Sequence, residues 1–74
     1  MSEKFPRVTA LEMIRVLEKT GFSLSRQSGS HKIFKDQRGR RVTVPFHPGK
    51  ILHPKLVSSI LKDADLDPDE LKRF

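Results

Sequence analysis

The hydrophobic pattern of this chain changes period twice, and that constrains its fold more than any single residue. Leu11, Ile14 and Leu17, widened by Met13 and Val16, recur at helical spacing. From Phe22 the pattern alternates: Phe22 and Leu24 against Ser23 and Ser25, then Val42, Val44 and Phe46 against Arg41 and Thr43. Beyond Pro54 the helical spacing returns in Leu56, Val57, Ile60, Leu61 and Ala64. Turn and cap residues fall at the joins. Thr9 and Glu12 have the spacing of a capping box, with Val8 set to staple onto Met13. Gly21 stops the first helix, and Phe22 then folds back toward Leu17 as in a Schellman ending.

The first strand is expected over Phe22 to Arg26, a turn over Gln27 to Ser30, and the second strand over His31 to Lys35. Asp36-Gln37-Arg38-Gly39 makes a four-residue hairpin loop. The third strand is Arg40 to Phe46, with Pro45 suited to an edge or a strand end. His47 to Leu52 is an irregular connector, and Pro54 opens the second helix, where its missing N–H costs nothing. Asp67-Pro68-Asp69-Glu70 resembles the cap and first turn of a short terminal helix, about 68–73, which Phe74 either docks or leaves to fray. The expectation is an α+β fold of order α-β-β-β-α(-α). Its three-stranded antiparallel sheet carries the helices on one face and shows Ser, Thr and Arg on the other.

Seventy-four residues allow one domain, 1–74, with an ordered core of about 8–66. The chain has no cysteine, which rules out disulfides and thiolate metal sites. Met1 to Pro6 has no apolar signal region, and no apolar run reaches membrane-spanning length. A soluble, cytoplasmic protein that stays clear of membranes is the expectation. The net charge of +6 is concentrated: residues 22–55 hold eight Lys/Arg against Asp36 alone, and all three histidines. Such a cationic centre suits a polyanion or an acidic protein, whereas solvated lysines that only maintain solubility need no clustering.

Gly29-Ser30-His31 sets an imidazole just after a flexible turn, in the most cationic part of the chain. Imidazole exchanges a proton near neutrality, at an ordinary pKa of roughly 6.5. RNA can be cut without a metal, because its 2′-hydroxyl attacks the adjacent phosphate. One positioned imidazole then supplies acid or base assistance, and nearby cations stabilise the phosphorane. His31 is the candidate for the first role, and Lys32, Lys35, Arg40, Arg41 and Lys50 for the second. Regular alternation puts His31 and Lys32 on opposite faces, and the residues alone leave open which one meets substrate. The bland reading of a lone strand histidine is a surface or packing residue.

Other chemistries fit less well. The three histidines lack metal-ligand spacing, so no metal or other cofactor is expected. Ser30 beside His31 is no nucleophilic dyad, since strand neighbours point apart. His47 either reaches phosphate or braces the connector, the second being favoured, and Ser30 and His47 stand as accessory candidates. His53 suits the opening of the second helix. Gly49-Lys50 lacks the rest of a phosphate loop.

Taken in order, Gly21-Phe22, Gly29-Ser30-His31, Gly39-Arg40, Val44-Pro45-Phe46-His47, Gly49-Lys50, Leu52, Pro54, Leu56, Ile60-Leu61 and Ala64 resemble the HicA (YcfA-like) family. Its members are small mRNA-interferase toxins of HicA–HicB toxin–antitoxin pairs. The likeness runs from about Val8 to Leu66. It implies a fold like a double-stranded-RNA-binding domain, metal-independent endoribonuclease activity on mRNA, an essential histidine mapping to His31, and a HicB-type antitoxin covering it. The free toxin is expected to be a monomer. Many relatives carry a second histidine where this chain has Lys32, and often glycine at the positions of Lys55 and Asp65. The two-imidazole version of the chemistry is therefore excluded here, and the second helix ends without the usual glycine.

The leading expectation is a ribonuclease toxin working through His31. A non-catalytic RNA-binding module of the same fold is the alternative, and a pure protein-interaction module the third.

Overall fold

The computed structural model describes residues 7–73. Met1 to Pro6 and Phe74 lie outside the described residues. The elements are α1 (Ala10–Lys19), β1 (Ser23–Ser28), β2 (His31–Lys35), β3 (Arg41–Pro45), α2 (Pro54–Ala64) and α3 (Glu70–Arg73). The strands form one antiparallel sheet in the order β1-β2-β3, so the expected α+β order holds.

Capping sets the ends of α1. The Glu12 amide donates to Thr9 Oγ1 at 3.2 Å, and the Thr9 amide donates back to Glu12 Oε1 at 2.8 Å. At the other end Gly21 takes φ +106°, and the Phe22 amide reaches the Leu17 carbonyl at 2.9 Å. The buried stripe consists of Ala10, Met13, Ile14, Val16 and Leu17. Leu11, expected in that stripe, is 48% exposed, because the stripe is centred one position to the other side.

Strand β1 runs to Ser28, two residues past the expected end, and leaves only Gly29 and Ser30 in the turn. Gly29 takes φ +60°, which a two-residue hairpin needs at its first central position. A bulge between Leu24 and Arg26 breaks the alternation: Leu24 pairs with Phe34, but Arg26 pairs with Ile33. The extra residue moves everything after it to the opposite face. All six residues of β1 are exposed. Leu24, expected inside, is 49% exposed. The reason lies in the layer above. The helices pack mainly against β3, α2 most closely, and the far edge strand is left uncovered.

One core joins Phe34 and Val42 and Val44 of the sheet to Met13, Leu17, Val57, Ile60 and Leu61 of the helices. Phe46 and Leu56 are half-buried at its margin. The connector after β3 is better ordered than its sequence suggests. His47-Pro48-Gly49-Lys50 closes a turn, with the Lys50 amide 3.1 Å from the His47 carbonyl and Gly49 at φ +81°. The Leu52 amide then donates to the Val8 carbonyl at 2.8 Å, and Thr9 and Ile51 form a bridge. These bonds hold the start of α2 against the start of α1.

Helix α2 begins at Pro54, as expected, with His53 as its N-cap: the Lys55 amide donates to His53 Nδ1 at 3.0 Å. It ends at Asp65, which adopts φ 58°, and the Leu66 amide returns to the Leu61 carbonyl at 2.8 Å. The Schellman geometry is thus retained without glycine. Helix α3 starts at Glu70, later than expected. Asp67 serves the preceding turn instead, its carbonyl accepting from the Glu70 amide at 2.9 Å.

Candidate nucleic-acid interface

The strand register sorts the sheet into two faces. Lys32, Phe34, Val42 and Val44 share the helix-covered face, since Lys32 pairs with Val44 and Phe34 with Val42. His31, Ile33 and Lys35 share the open face with their partners Pro45, Thr43 and Arg41. On β1 the open-face partners are Ser28, Arg26 and Ser23. His31 is therefore exposed at one end of a face that carries Arg26, Lys35 and Arg41 and no carboxylate.

Spacing on that face is uneven. Lys35 and Arg41 sit opposite each other, four residues along β2 from His31, or roughly 13 Å at strand rise. Arg26 is closer. It is diagonal to His31 across the β1–β2 pair, an arrangement with Cα atoms about 7–8 Å apart and within reach of a long side chain. Sequence reasoning missed Arg26 because strict alternation from Phe22 puts it on the core side. Only the bulge turns it outward, and nothing in Ser23-Leu24-Ser25-Arg26-Gln27-Ser28 marks a bulge.

The turn that presents His31 is tied down on both sides. Gln27 Nε2 donates to the Gly29 carbonyl at 3.0 Å, and the Phe46 amide donates to the Ser30 carbonyl at 2.6 Å. Ser30 thus contributes through its backbone. Lys32 leans the other way, with its ammonium 4.3 Å from the centre of the Phe46 ring. It is next to His31 in sequence but lies across the sheet from it.

Arg40 is drawn into the fold. Its Nη1 donates to the Ala64 carbonyl at 3.3 Å and lies 3.6 Å from Asp36 Oδ2. Its Nη2 is 3.3 Å from Asp65 Oδ2. Asp36 Oδ1 meanwhile accepts from the Arg38 and Arg40 amides at 3.0 and 2.8 Å, shaping the hairpin loop. Arg40 joins that loop to the end of α2 and stands apart from His31.

Two of the hollows lined by described residues bear on the placement of these side chains. The larger, about 410 Å³, lies at the hairpin loop between Thr20, Gly21, Asp36 and Arg40, at the far end of β2 from His31. The smaller, about 160 Å³, lies where β3 ends and is lined by Pro45, His47, Lys50, Ile51, Leu52, His53 and Leu56. Its strand residue, Pro45, is the register partner of His31. His47 and Lys50 therefore belong to this cleft and not to the open sheet face. Among the described residues no three His, Asp or Glu side chains converge as a metal site requires. No helix of the described residues is long and apolar enough to cross a membrane.

Comparison with the curated proteins finds no match. The family described as the HicA toxin of bacterial toxin–antitoxin matches residues 11–66, a span that holds α1 but for its first residue, the whole sheet with His31, and α2. With most of its length accounted for in this way, the chain belongs to the HicA toxin family.

Proposed function

We propose that this toxin is a metal-independent endoribonuclease that cleaves mRNA, with His31 as its general acid or base. The observation that carries the reading is the exposed His31 on a carboxylate-free sheet face beside Arg26. The RNA 2′-oxygen attacks the neighbouring phosphorus, the P–O5′ bond breaks, and the products are a 2′,3′-cyclic phosphate and a 5′-hydroxyl. His31 takes the 2′-proton or delivers one to the departing 5′-oxygen, solvent water making the other transfer, and that assistance is worth roughly 10²–10⁴-fold. Arg26 stabilises charge on the reacting phosphate, and Lys35 and Arg41 hold phosphates further along the strand. Ser30 shapes the turn. Lys32 and Arg40 act indirectly, by bracing the sheet and the loop.

Membership in the family carries an antitoxin partner. A HicB-type protein that covers His31 would silence the site, and the free toxin works as a monomer in the cytoplasm, where mRNA is. A non-catalytic RNA-binding module is the competing reading, and the same face would serve it. The test compares cleavage of a long RNA, in the presence of a chelator, by wild type and His31→Gln, with folding followed by circular dichroism. Loss of cleavage by a folded His31→Gln is expected. Equal cleavage by both overturns the assignment, and binding without cleavage by wild type favours the alternative.

A further inference from the structure

We infer that the cleft at the end of β3 seats one nucleobase of a single-stranded RNA, next to the phosphate held at His31. The inference rests on the ribonuclease reading and extends it from the reacting phosphate to a base. Position comes first. Pro45 is both the register partner of His31 and a wall of the cleft, so the backbone of His31 lies one strand spacing, about 5 Å, from the backbone of that wall. The tether between them is fixed, because the Phe46 amide is bonded to the Ser30 carbonyl.

Size and lining follow. At about 160 Å³ the cleft takes one flat ring and falls short of a larger ligand's needs. Its walls include Pro45, Leu52 and Leu56, together with Ile51, an aliphatic side chain left 52% exposed. The rim holds His47, Lys50 and His53 and no carboxylate. His53 Nδ1 is already committed to the Lys55 amide, so a neutral ring carries its proton on Nε2 as a donor. Lys50 adds its ammonium donors to the same rim. An apolar slot rimmed by donors and positive charge suits a ring with acceptor edges on a polyanionic chain, which describes a base in RNA. An acidic or acceptor-rich protein side chain satisfies the rim but leaves the apolar walls poorly used.

The test uses single-stranded oligoribonucleotides with fluorine in place of every 2′-hydroxyl, so that no nucleophile is present and binding is read alone. A series in which each member lacks one base is titrated against wild type, Leu56→Phe, which fills the cleft, and Ile51→Ala, which trims an exposed wall without threatening the fold. For wild type, removal of one particular base is expected to weaken binding roughly tenfold, the scale of one stacked base. That penalty should fall to within twofold in both variants. A flat series for wild type, or an unchanged penalty in the variants, overturns the cleft assignment while leaving the ribonuclease reading intact. If ordinary RNA is neither bound nor cut by wild type, the ribonuclease reading itself fails. Should the variants keep the base penalty and lose only affinity for the antitoxin, the cleft is a protein contact and the inference is wrong.

Discussion

At the scale of single residues the structure separates cations that face the open sheet from cations spent on the fold, and the sequence does not. Lys32, Lys35, Arg40 and Arg41 crowd into ten positions, yet only Lys35 and Arg41 share the face of His31. Substitution should expose the difference. Arg26→Ala is expected to slow RNA cleavage about 10- to 100-fold, the value of one charge-assisted contact, with an unchanged melting curve. It should also shrink the log–log salt slope of binding to single strands by about 0.7. Arg40→Ala should do the reverse. It loses the Ala64 carbonyl and two carboxylate partners that are partly solvent-screened, so a cost of about 1 kcal/mol is expected, read as a fall of roughly 4–8 °C in Tm. His31 was singled out from Gly29-Ser30-His31 and the surrounding charge, but the face it presents came only from the strand register. Arg26 was not singled out, because its orientation depends on a bulge that comes from strand pairing and leaves no local mark.

The elements follow local chemistry closely wherever a cap or a turn is specified by the residues that form it. Thr9 with Glu12, Gly21 with Phe22, and Pro54 could each be read directly, and each boundary stands where it was expected. What failed depended on tertiary context. Leu11 and Leu24 are apolar at plausible spacing, but whether a side chain is covered depends on which strand the helices choose, and they choose β3. The two ends of α2 offer sharp tests. His53 is a weaker cap than aspartate, which adds a negative charge at the positive end of the helix dipole. His53→Asp is therefore expected to raise stability by about 0.5–1 kcal/mol, and His53→Ala to lower it by a similar amount, both measured by urea unfolding. Asp65 occupies left-handed backbone at φ 58°, and its pair with Arg40 is largely exposed on the Asp65 side. Asp65→Gly should thus stabilise by up to about 1 kcal/mol, since relief of backbone strain outweighs a screened ion pair. Asp65→Ala, which keeps the strain and loses the pair, should destabilise.

For the molecule as a whole, a chain of this length has little stability in reserve, of order 5–10 kcal/mol. Its single core draws on every main element except β1. Phe34, 1% exposed on the central strand, is the largest of the fully buried side chains, and Phe34→Ala is expected to cost about 3–5 kcal/mol and leave much of the chain unfolded at 37 °C. The uncovered β1 contributes little to that core, and Arg26 and His31, the residues of the proposed site, lie outside it. Fold and activity therefore fail through different residues, which allows them to be tested separately. The most direct measurement is the end group left on RNA by the purified toxin in a chelator, compared with folded His31→Gln. Wild type is expected to leave 2′,3′-cyclic phosphate ends and the variant almost none. Cyclic ends at equal rates from both proteins would mean that the exposed imidazole plays no part in the chemistry.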